Sequence, residues 1–84
     1  MSAREMFKKL DFYVISENPL IYRQDDGGYI TEYLFNQITQ GVQIKEYEEY
    51  NNNLPQGGTS MYIEHIKAIQ QQIKELHWNN RSCL

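Results

Sequence analysis

Eighty-four residues, 40% apolar and 23% charged, suit one small globular domain and exclude both a disordered chain and a membrane protein. The formal net charge of −3, with eight Lys and Arg scattered along the chain, argues against a nucleic-acid backbone as the main partner. The single cysteine, Cys83, can form no internal disulfide, which points to a reducing compartment.

The chain opens on a capping box, Ser2 with Glu5 three residues on. Ala3, Met6, Phe7 and Leu10 then follow helical spacing and predict a short amphipathic helix that must dock to persist. This opening is an amphipathic turn rather than the apolar stretch of a signal peptide, and the expected location is cytoplasmic. Phe12-Tyr13-Val14-Ile15 is aromatic and β-branched and reads as a strand. Asn18-Pro19 marks a turn into a second strand, Leu20 to Gln24. Asp25-Asp26-Gly27-Gly28 supplies the positive φ angles of a tight hairpin, and Tyr29 to Phe35 is the returning strand, its aromatic side (Tyr29, Tyr33, Phe35) expected inward. Gln40-Gly41 turns the chain into Val42 to Tyr47.

Tyr50 to Gly58 is rich in turn formers and reads as a loop, after which Thr59 or Ser60 is expected to cap the last element. Ile63, Ile66, Ile69, Ile73 and Leu76 recur every three or four residues and predict a long amphipathic helix to about His77. The order is that of an α+β fold: a short N-terminal helix, a three- to four-stranded antiparallel meander, and a long C-terminal helix, both helices on one face. Residues 1–80 form the single expected domain and 81–84 a flexible tail. The expected core is Phe7, Leu10, Ile15, Tyr33, Val42, Ile44, Ile66, Ile69, Ile73, Leu76 and Trp78. So short a chain buries only about 60–65% of its unfolded surface, so a two-fold homodimer is expected.

Few residues suggest chemistry. His65 and His77 are twelve positions apart on one helix, about 18 Å along its axis, and cannot share a metal. They read as a polar-face residue and a residue suited to the helix dipole. Cys83 stands at the end of the chain with no base near it in sequence, and no serine sits in a nucleophile elbow. No cofactor or metal site and no enzymatic activity are expected.

Two stretches remain as candidate binding sites. Tyr47, Glu48, Glu49 and Tyr50 continue an acidic run from Glu46 and offer aromatic and charged groups to a basic, partly apolar protein. The plainer reading is an edge strand protected by charge. Gly57, Gly58, Thr59 and Ser60 lead into the last helix, where backbone amides and the dipole suit a phosphate, with Arg23 or Lys45 as counter-charge. The lysine of a P-loop is missing, and the hydroxyls also serve as a plain cap.

Ala3-Arg4-Glu5-Met6-Phe7-Lys8-Lys9-Leu10, followed by aromatic strand residues, resembles the opening of small uncharacterised proteins from phages and prophages of Gram-positive bacteria. The closing helix, Ile66 to Trp78, is similar to theirs, although they usually carry glycine at the places of Asp11 and His77. The likeness covers about the first dozen and the last sixteen residues. It implies a mobile-element accessory protein and brings no site residues with it. The expected function is a non-enzymatic protein-binding factor with a host or phage partner, such as an inhibitor of a host enzyme or defence system. The alternative is a protein that captures a nucleotide or other phosphorylated signal.

Overall fold

The computed structural model describes residues 1–48, 51–55 and 61–78. Helix α1 (Ala3–Lys9) begins as its sequence predicts. The Glu5 backbone N–H donates to Ser2 Oγ at 3.1 Å, and the Ser2 N–H donates to Glu5 Oε1 at 2.9 Å. These hydrogen bonds to Ser2 hold the Glu5 carboxyl below the usual carboxylate range.

Both helices stop in the same way. After α1, Asp11 takes a φ of 69°, its N–H donates to Lys8 O at 3.0 Å, and the Phe12 N–H donates to Phe7 O at 2.9 Å. After α2 (Ile63–Glu75), His77 takes a φ of 58°, donating to Lys74 O at 3.1 Å while Trp78 donates to Ile73 O at 3.4 Å. Each pair is a Schellman arrangement, which usually places glycine at the left-handed residue. Left-handed backbone costs an L-residue about 1–2 kcal/mol. Asp11→Gly and His77→Gly are therefore each expected to raise stability by about 1 kcal/mol in chemical denaturation. A loss at either position would contradict its assigned backbone.

Between the helices the chain forms β1 (Tyr13–Glu17), β2 (Leu20–Asp26), β3 (Tyr29–Asn36), β4 (Gly41–Glu48) and β5 (Asn51–Pro55), antiparallel neighbours in that order. The predicted meander is present. β5 adds a strand where the composition reads as a loop, because ladder bonds use backbone groups and need no apolar side chain beside an open edge. The hairpin between β2 and β3 is the two-residue kind the sequence predicts, with φ of 62° at Gly27 and 94° at Gly28.

Both helices cover one face of the sheet. Leu20 and Tyr22 of β2 and Tyr33 and Phe35 of β3 point into it, so the aromatic side of β3 is inward as expected. Phe7 is the hub of this core. Its ring stacks on Tyr22 at a centroid distance of 3.9 Å and meets Phe12, Tyr33 and Phe35 edge-on at 5.7, 5.8 and 6.2 Å. Ala68 and Gln72 of α2 are buried against the cluster, flanked by Ile69, Ile73 and Leu76. Gln72 is an inward polar residue that the aliphatic stripe does not reveal; its Oε1 accepts the Tyr22 hydroxyl. Trp78 packs on Phe35 from beyond the helix end, as expected, and donates its indole N–H to Gln37. The Ala3 N–H donates to Glu75 Oε2 at 2.8 Å, tying the two helices together.

Three expected core residues lie elsewhere. Val14 faces the core opposite Tyr22, and Ile15, the unpaired residue of the bulge between Val14 and Ser16, is left 44% exposed. Ile44 is on the helix face but on β4, and it is 43% exposed. Ile66 stands on the flank of α2 at 38% exposure. The cap of α2 also differs: Tyr62 holds that position, so neither Thr59 nor Ser60 does. Residues 56–60 and 79–84, which include the expected tail 81–84 and Cys83, lie outside the described residues. Among the described residues no helix is long and apolar enough to cross a membrane.

Candidate functional site

The alternation of strand side chains fixes what the acidic run can present. Along β4, Val42, Ile44, Glu46 and Glu48 share the helix face, whereas Gln43, Lys45 and Tyr47 are on the outer face. The hairpin register then brings residues distant in sequence beside them. Asp26, Tyr29 and Glu48 line up across β2, β3 and β4 on the helix face, and Asp25, Ile30 and Tyr47 line up on the outer face. Directly opposed residues in such pairs stand about 5 Å apart. One rung inward are Gln24, Thr31 and Glu46 on the helix face, and two rungs inward are Arg23, Glu32 and Lys45 on the outer face.

The result is one end of the sheet that carries Asp25, Asp26, Glu46 and Glu48 together with Tyr29 and Tyr47. Asp25 and Asp26 are exposed, and Tyr29, Tyr47 and Glu48 are half-buried. No lysine or arginine stands in the two outermost rungs among the described residues. Sequence reading finds only the β4 part of this surface. The contribution of Asp25, Asp26 and Tyr29 follows from their register.

Tyr47 is held in place. Its hydroxyl donates to Glu32 Oε2 at 2.9 Å, and burial together with this carboxylate pushes its pKa above the ordinary tyrosine value. The ring therefore stays neutral and fixed on the outer face beside Ile30, which is fully buried there. Glu49 and Tyr50, the other half of the predicted run, lie outside the described residues.

Two polar atoms near this end lack hydrogen-bond partners among the described residues although solvent does not reach them: Glu46 Oε2 on the helix face and Arg23 Nε on the outer face. Glu46 stands close enough to Tyr33 to add to the rise in that tyrosine's pKa, which burial mainly causes.

The second predicted site, Gly57, Gly58, Thr59 and Ser60, lies outside the described residues. Its expected counter-charges can be placed. Arg23 and Lys45 flank Glu32 on the outer face, whereas α2 begins on the opposite, helix-covered face. The sheet thus separates the helix start from both cations.

The histidines take the separate positions their spacing predicts. His65 is half-buried rather than on the solvent side, its ring meeting Phe12 edge-on at 6.1 Å and its Nδ1 accepting the Tyr62 N–H at 3.3 Å. His77 is exposed. Among the described residues no three His, Cys, Asp or Glu side chains are grouped to hold a metal ion. The arrangement offers charge and aromatic surface for recognition. Comparison with protein-family models, with curated proteins and with solved structures finds no match to this chain.

Proposed function

We propose that this protein is a non-enzymatic protein-binding factor, that its contact surface is the acidic, tyrosine-bearing end of the sheet, and that its partner presents a basic, partly apolar patch. One observation carries the reading: the register that sets Asp26, Tyr29 and Glu48 side by side on one face and Asp25 and Tyr47 on the other. Aromatic rings supply contact area with few rotatable bonds, and carboxylates around them steer a basic partner and reject acidic ones. On the resemblance to phage and prophage proteins, such a factor would be a mobile-element accessory with a host enzyme or defence protein as its target.

The test is capture from a Gram-positive host lysate with immobilised protein, followed by affinity measurement on the captured partner. Asp26→Lys with Glu48→Lys is expected to weaken binding by about tenfold or more, and raised salt to weaken the native pair. Glu64→Lys, a single charge reversal on α2 half as large as that double change, should leave the affinity within about twofold. Equal losses from both variants would reject the assigned surface. Stabilisation by a nucleotide, about 2.7 kcal/mol at a hundredfold excess over its dissociation constant, would instead favour capture of a phosphorylated signal.

A further inference from the structure

The two helices leave a pocket between them that is independent of the sheet end. It has a volume of about 180 Å³ and is lined by Met1, Met6, Lys9 and Leu10 from α1 and its flanks and by Glu64 and Lys67 from α2. Its wall is almost wholly apolar. Lys9 and Lys67 line it and are both exposed, the combination in which a lysine stem covers apolar surface while its amine turns toward solvent. No carboxylate among the described residues is ion-paired with either lysine, and Glu64 is the one acidic residue in the lining.

Apolar walls under two cations and one anion select a particular kind of guest. The walls favour a hydrocarbon group, and the rim favours a negative charge at its end. An enclosed apolar cavity of about 150 Å³ accepts benzene, and this pocket, half open to solvent, has room for a chain or ring of roughly six to eight carbon atoms. Methionine side chains can rotate to fit the shape of such a guest. We infer that the α1–α2 pocket binds a small amphipathic monoanion of the medium-chain carboxylate class, its hydrocarbon seated against Met1, Met6 and Leu10 and its carboxylate held between Lys9 and Lys67.

The chain contains three methionines, and they make the test specific. Met1 and Met6 line the pocket, while Met61, 36% exposed just before α2, is outside the lining. In methyl NMR of the whole protein, millimolar octanoate is expected to shift the Met1 and Met6 signals in a saturable way and to leave Met61 unmoved. Octylamine, with the same hydrocarbon and opposite charge, should bind about tenfold more weakly. Lys9→Glu with Lys67→Glu, both at exposed positions, should weaken octanoate by about the same factor and reverse the preference between the two probes. No saturable shift at Met1 and Met6, an equal shift at Met61, or equal binding of octanoate and octylamine would overturn the inference.

Discussion

Phe7→Ala is expected to remove about 3–5 kcal/mol of stability, enough to abolish cooperative unfolding in a domain of this size. Phe7 is fully buried and touches four other aromatic rings, two from β3, one from β2 and one from the turn that follows α1. Truncation to alanine leaves a cavity bounded by large rings, which cannot rotate into it without abandoning one another. Ile38→Ala is the matched control. Ile38 is 93% exposed at the tip of the β3–β4 hairpin, and its truncation should change stability by less than about 0.5 kcal/mol. Denaturation curves followed by near-ultraviolet circular dichroism check both. A native-like transition for Phe7→Ala would place the core elsewhere.

The second large effect concerns binding. Tyr29→Ala and Tyr47→Ala are each expected to lower affinity for the protein partner by about 2 kcal/mol or more, against less than about 1 kcal/mol for Glu48→Ala. The asymmetry has a structural basis. Tyr47 is preset by its bond to Glu32 and lies beside the buried Ile30, so little freedom is lost when a partner covers it. Glu48 is an end-of-strand charge whose removal mainly slows encounter. Calorimetric titration of each variant measures the differences directly, and near-equal losses for the three would indicate a contact governed by charge alone.

Much of the fold was legible because its signals are local. Ser2 with Glu5 announces the first helix, Gly27-Gly28 the hairpin, and the aliphatic stripe from Ile63 to Leu76 the second helix. What escaped depends on neighbours that sequence spacing does not name. Ile15 and Val14 are both β-branched, and only the pairing of Val14 with Tyr22 decides which turns inward. Gln72 reads as a solvent residue until Tyr22, fifty positions earlier, meets its amide oxygen. Tyr22 itself is indistinguishable by pattern from the exposed Tyr13, since both alternate within aromatic strands. The candidate site was half legible for the same reason. Glu46-Tyr47-Glu48 is a visible run, but Asp25, Asp26 and Tyr29 join it only through the register of two hairpins. Asp11 and His77 show the reverse case, in which the helix stops are correctly placed although the residues there are not the glycine that left-handed backbone favours.

The central claim is that the acidic end of the sheet is where this protein meets its partner. Backbone amide chemical-shift mapping during titration with the captured partner tests it most directly, because each contact residue reports separately. The expected footprint covers Asp25 to Tyr29 and Glu46 to Glu48, and it leaves α1 and the exposed side of α2 unperturbed. A footprint centred on α2 or on the Ile38 hairpin, with the sheet end unchanged, would contradict the account.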